Sequence, residues 1–193
     1  MKKKLLSLMM IGMMLTLSPV SAMAEKSENL QEEEIEKVDY SMIDESVYEG
    51  TWITAFGVFD LFLPSDWNVL VNVDMEETPE DNIYFQAASE DQTRAVAISY
   101  APSKLSSLEE LAAAYVEEGF DEVGYMNIND IPVVVYSSVD EDGIQTAGIV
   151  TLGDQGGIYN VTIGAPEKDT DFGPIAQNIL ASFSATEYEE ETE

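Results

Sequence analysis

Carboxylates are the chemistry this chain has in quantity. Of its 193 residues, 38 are Asp or Glu and eight are Lys or Arg, with no His and no Cys. That composition excludes Ser-His-Asp and Cys-His nucleophile systems and any His- or Cys-ligated transition metal. No Gly-x-Gly-x-x-Gly or Walker pattern offers a backbone cradle for phosphate. Ser–Lys catalysis lacks a setting, because Lys104 and Lys168 fall in loop-like segments without an evident partner. Two carboxylates flanking a sugar can hydrolyse it, provided an apolar pocket keeps one of them protonated. With 23 acids between residues 50 and 184, some pair falls close by chance. None stands at the end of an apolar strand facing a cleft, so a solvated acidic surface is the simpler reading.

Calcium takes hard oxygen ligands. Asp140-Glu141-Asp142-Gly143 looks like the middle of an EF-hand loop, but the first ligand position falls on Ser138 and the closing glutamate position on Ile149. The segment reads as a hairpin turn. Glu76-Glu77 with Glu80-Asp81 is a second acidic loop, equally unspecific. No catalytic, cofactor-binding or metal-ligating residue is assigned. Trp52, Trp67 and Tyr100 are candidates for a binding surface, although aromatic residues on alternating strands usually serve the core. Tyr40, Tyr48 and Tyr188 lie in polar segments and are expected to be exposed.

Short apolar runs divided by turn residues must position these groups. Residues 51–56 and 58–63 read as strands separated by Gly57, with Pro64-Ser65-Asp66 closing the second. Residues 67–73 form a further extended stretch, and 82–88 with 94–100 a hairpin around Glu90-Asp91-Gln92. Leu108, Leu111, Ala112, Tyr115 and Val116 make one helical stripe. Ser107 and Glu110 supply a capping box at its start and Gly119 a left-handed stop. Four more strands follow at 123–128, 132–138, 144–152 and 158–164. The last three are joined by Gly-bearing turns and so are antiparallel neighbours. A second helix carries Ile175, Ala176, Ile179, Leu180 and Phe183, with Pro174 suited to its first position. The fold class is α+β, an antiparallel sheet with helices packed on it.

The flanks differ in composition. Lys2-Lys3-Lys4, an apolar run at 5–20, Pro19 and Ala22-Met23-Ala24 read as a cleavable signal peptide over residues 1–24. The run has 16 residues, short of the roughly 20 a spanning helix needs. With no cysteine to carry lipid, export without a membrane anchor is expected, to a secreted, extracellular location. Residues 25–49 hold ten acids and two lysines and read as a flexible arm, residues 50–184 as the folded domain, and 185–193 as an acidic tail. Cleavage removes three basic residues and no acid, leaving a formal charge of −33 in place of −30. Such a field repels nucleic acid and anionic lipid and favours solubility, cations or a basic partner.

Phe56-Gly57-Val58-Phe59 leading to Leu63-Pro64-Ser65-Asp66-Trp67 resembles the opening of PsbP-like domains in uncharacterised bacterial secreted proteins. So do Ser107-Leu108-Glu109-Glu110-Leu111, Ile131-Pro132-Val133-Val134-Val135-Tyr136 and the closing Ile179-Leu180-Ala181-Ser182-Phe183. The resemblance covers about residues 51–184. It implies an αβα sandwich, for which a further helix from the N-terminal arm would be needed on the far face. It also implies a binding or assembly role and carries no functional motif residue by residue.

Three functions are compatible with these readings. The first is a non-catalytic secreted domain that binds a protein or cell-envelope ligand through the sheet edge or a loop face. The second is a carboxylate-based glycan hydrolase, which requires a concave pocket with two acids roughly 5–10 Å apart. The third is a calcium-dependent structural module, which calcium must stabilise against thermal unfolding relative to chelator.

Overall fold

The computed structural model describes residues 36–74, 76, 79, 81–153 and 156–186. Signal peptide, most of the acidic tail and the first part of the arm lie outside them. The strands are β1 (Glu36–Val38), β2 (Gly50–Ala55), β3 (Phe59–Pro64), β4 (Asn68–Asn72), β5 (Ile83–Ala88), β6 (Ala95–Ala101), β7 (Asp121–Ile128), β8 (Ile131–Val139), β9 (Ile144–Leu152), β10 (Ile158–Pro166) and β11 (Ser184–Ala185). Helix α1 spans Leu108–Glu117 and α2 Phe172–Ala181, and a 3-10 turn occupies Tyr40–Met42. The class is α+β. The strands form an eight-stranded sheet in the order β1-β7-β8-β9-β10-β6-β5-β4 and a three-stranded sheet in the order β11-β3-β2. Every pairing is antiparallel except β1 with β7.

Alternation decides which faces meet. On β3, Phe59, Leu61 and Leu63 are buried while Asp60 and Phe62 face the other way, half-buried. The buried set joins Phe85, Val96, Ile98, Val133, Ile149 and Val161 of the large sheet in one core. Ile175, Ile179 and Phe183, from α2 and its exit, belong to that core too. Its centre is aromatic. Phe59 lies 4.6 Å from Phe183 and 5.0 Å from Tyr159, ring centre to ring centre, and Phe56 lies 5.8 Å from Phe59. Phe56 reaches this cluster from a left-handed backbone (φ +39°) followed by Gly57 (φ +72°), a pair that reverses the chain between β2 and β3. The conformation costs a non-glycine residue about 1 kcal/mol, which burial of its ring offsets.

Helix α1 sits against β7 and β8. Tyr115 packs 4.8 Å from Tyr136 of β8, whose hydroxyl donates to Asn160 Oδ1 at 2.6 Å. The predicted caps are present with one difference. Ser107 Oγ accepts from the Glu110 amide at 3.2 Å, but Glu110 Oε2 reaches back to the Ser106 amide, at 2.9 Å, and not to Ser107. At the other end, Gly119 (φ +88°) donates to Val116 and Phe120 to Tyr115, both at 3.1 Å, and the Phe120 ring closes on Tyr115 at 5.0 Å. This is the Schellman arrangement with its apolar contact.

Three expectations need correction. Residues 36–49 are not a loose arm: β1 pairs with β7, and Asp44 is held by α2. Composition predicts too few apolar contacts there, but the pairing uses backbone groups, which composition does not register. The segment supplies a strand and a 3-10 turn, with no helix among its described residues. Pro174 is the third residue of α2, since the helix starts at Phe172; the position tolerates it because the first amides of a helix have no partner within it. Val116 is 60% exposed, for the α1 stripe ends at Tyr115 and the next side chain turns 100° away.

Asn178 lies on the buried stripe of α2 yet is polar. Its Nδ2 donates to the Asp44 carbonyl at 2.8 Å and its Oδ1 accepts from the Asp44 amide at 3.0 Å. Replacing it strands two backbone groups, so Asn178→Ala should cost about 1–3 kcal/mol, read as a lower urea midpoint with unchanged slope. A wild-type midpoint would refute the clasp.

Arg94, between β5 and β6, grips Asp169 ahead of α2, with Nη2 2.8 Å from Oδ1. The hydrogen bond from Arg94 holds the Asp169 carboxyl below the ordinary range. A carboxyl whose folded pKa is depressed stabilises the fold above its unfolded pKa, and that contribution is lost as pH falls through the folded value. Arg94→Gln should therefore lower stability by about 1 kcal/mol at neutral pH. The gap between the two proteins should close on acidification; a gap independent of pH would show that the charge pair is not its source.

Candidate binding face

The outer face of the small sheet is built from the residues that alternation turns away from the core. Trp52 and Phe62 are paired across β2 and β3, as are Thr54 and Asp60, and Thr54 Oγ1 donates to Asp60 Oδ1 at 2.6 Å. Trp52 is 49% exposed. Its ring is held on two sides, 5.5 Å from Phe62 and 5.7 Å edge-on from Tyr40, itself 50% exposed. Tyr48 stacks on Phe62 at 5.6 Å and donates its hydroxyl to the Phe62 carbonyl at 2.8 Å. Tyr40, Trp52, Phe62 and Tyr48 thus form a continuous aromatic strip that runs from solvent into half-buried ground, with Met42 exposed beside Tyr40 in the same turn.

Local chemistry fixes the strip. The 3-10 turn that presents Tyr40 is capped by Asp39, whose carboxylate accepts from the Ser41 amide at 2.9 Å. The Asn178 clasp pins the chain just beyond it. The Phe62 amide donates to Ser182 Oγ at 2.8 Å, tying the strip to the end of α2. Gly50 leaves room for the Phe62 ring, with which a Cβ there would collide.

The residues singled out in the sequence separate clearly. Trp52 is on this face. Trp67 is half-buried against the core, and Tyr100 packs 4.9 Å from Tyr159 with its hydroxyl on the Gly156 carbonyl. Tyr40 is exposed as expected; Tyr48 is not, because stacking on Phe62 draws it down; Tyr188 lies outside the described residues. The Asp140 carboxylate accepts from the Asp142 and Ile144 amides at 2.9 and 2.8 Å, organising the β8–β9 hairpin. In the other acidic loop Glu76 is exposed and Asp81 accepts from the Ile83 amide, while Glu77 and Glu80 are outside the described residues. Lys104 and Lys168 are both exposed. Hydrogen bonds hold Asp39, Asp44, Asp91, Glu109 and Asp169 below the ordinary carboxylate range. Glu118, pushed up by burial, is the one described carboxylate that moves the other way, and it stands at the surface end of α1. Sequence reading missed Phe62 and Asn178. The Trp52–Phe62 pairing could have been found by counting outward from the Gly57 turn.

No known protein family and no curated protein matches the sequence. Among solved structures it is similar to a protein from Bacteroides thetaiotaomicron, with 18% identity and a TM-score of 0.47 over 70% of this chain. It spans about half of that protein, 47% of its length. It is also similar to cyanobacterial PsbP from Synechocystis, with 9% identity and a TM-score of 0.49 over 72% of this chain and 92% of that one. A third similar structure is LpqN, involved in cell envelope biogenesis of Mycobacterium tuberculosis, with 12% identity and a TM-score of 0.43 over 72% of this chain and 86% of that one. A PsbP structure is thus among the matches. At these identities the likeness concerns the fold alone.

Gly50 provides a lever on the strip that removes no aromatic ring. Gly50→Ala should push Phe62 away from Trp52, shifting the indole resonances of Trp52 while those of Trp67 stay in place. Unchanged Trp52 signals would show that Phe62 does not set its position.

Proposed function

We propose that this chain is an exported, non-catalytic domain that binds a protein or cell-envelope ligand through the outer face of its small sheet. The observation that carries the reading is the placement of Trp52. A large indole ring stays half in water although a packed core lies one residue away on the same strand, and two neighbouring rings fix its orientation. Rigid aromatic anchors of this kind bind with little loss of side-chain freedom. The missing His and Cys remove the Ser-His-Asp and Cys-His nucleophile systems, and an acidic charge that repels nucleic acid and anionic membrane argues against those partners. Export rests on the residue pattern of the first 24 positions. No helix among the described residues is long and apolar enough to cross a membrane.

Hydroxyl-radical labelling tests the face without requiring the ligand to be known. In the presence of the producing cell's envelope fraction, labelling of Trp52, Tyr40 and Met42 should fall, while labelling of exposed Val139 on β8 stays constant. If Trp52 remains as reactive as in buffer, the binding face is not this one.

A further inference from the structure

The charge around the strip is one-sided. From residue 38 to residue 62, the stretch that builds the strip, there are five carboxylates and no basic residue: Asp39, Asp44, Glu45, Glu49 and Asp60. Asp39 and Asp44 each cap their own turn, accepting from the Ser41 and Ser46 amides at 2.9 Å. Those hydrogen bonds hold both carboxyls below their ordinary range. Asp60 shares the outer face of β3 with Phe62, two residues along. Among the described basic residues, Arg94 is engaged by Asp169, Lys104 and Lys168 belong to other loops, and Lys37 precedes the stretch in β1.

An aromatic ring with an open face, on a stretch whose only charges are carboxylates, has a defined complement. The π face of an indole attracts a cation, and a guanidinium is favoured because it stacks flat and is weakly hydrated. Carboxylates at the rim pair with further basic groups and speed encounter. A neutral sugar would use the ring and leave the charge without purpose.

We propose that the partner docked on this face is a basic, arginine-bearing protein segment, with one guanidinium on Trp52 and further basic groups drawn to the carboxylates of the same stretch, Asp39, Glu49 and Asp60. This rests on the binding-face reading above and adds the chemistry of the occupant.

The test is calorimetric titration of the intact protein with a short arginine–glycine peptide, its lysine counterpart, an uncharged serine–glycine peptide and a neutral chito-oligosaccharide. Salt is set at about 150 mM so that charges beyond a Debye length are screened. The arginine peptide should bind most tightly and quench Trp52 emission. Trp52→Ala should weaken it about tenfold, and Trp52→Phe should restore most of the loss. Asp39→Asn with Glu49→Gln should weaken binding, whereas Glu141→Gln with Asp142→Asn on the β8–β9 hairpin should leave it unchanged. Equal losses from the two carboxylate pairs, with none from Trp52→Ala, would mean diffuse attraction to an acidic protein and overturn the inference. Trp52-dependent binding of the oligosaccharide without the peptide would keep the face and overturn its basic occupant. Binding of neither probe overturns the inference as well.

Discussion

Phe59 stands where three parts of the chain, remote in sequence, have to meet. It brings the small sheet against Tyr159 of the large one and receives Phe183 as α2 ends. Each aromatic pair adds about 0.5–1.5 kcal/mol beyond the area it buries. That matters here because the usual reinforcements are missing: there is no disulfide, and like charges crowd the surface. Folding must overcome that self-repulsion by packing. The proposed binding face is a by-product of the same seam. Alternation that sends Phe59, Leu61 and Leu63 inward sends Phe62 outward, beside Trp52.

Polar cross-links follow the same constraint. With eight basic residues against 38 acids, cations for ion pairs are scarce; beside the pairing of Arg94 with Asp169, neutral amides tie the elements together. Asn72 accepts from the Phe56 amide at 2.7 Å and joins β4 to the β2–β3 turn. Asn129 donates to the Ala181 and Phe183 carbonyls at 2.8 and 2.9 Å, holding the β7–β8 turn to the end of α2. Gln145 donates to the Pro166 and Asp169 carbonyls, both at 2.9 Å, and Asn178 grips Asp44. An amide offers a donor and an acceptor and adds no charge.

What was legible in the sequence was local. The nine strands read from it each occur to within a few residues, because alternation and turn residues act over a handful of positions. The cap and stop of α1 were legible for the same reason. The division into two sheets was not, since the strands either side of Trp67 look alike and only long-range packing separates them. β1 was hidden as well: three residues in an acidic segment pair in parallel with a strand more than eighty positions away. Of the binding face, Trp52 was visible as a candidate. Its exposure was not, because a strand's pattern says which residues alternate and leaves open which set the core will claim.

Reliance on amides has a chemical cost that unfolds slowly. Hydrolysis turns Asn into Asp, so each clasp is one reaction away from a carboxylate. At Asn129 or Asn178 the product would exchange an N–H donor for a second acceptor and place a negative charge against backbone carbonyls. Asn129 sits at a left-handed turn position, φ +47°, with Asp130 next to it, and reports most directly on such damage. Ageing of this protein would then appear as a gradual loosening of the junction between α2 and its neighbours, one deamidated molecule at a time.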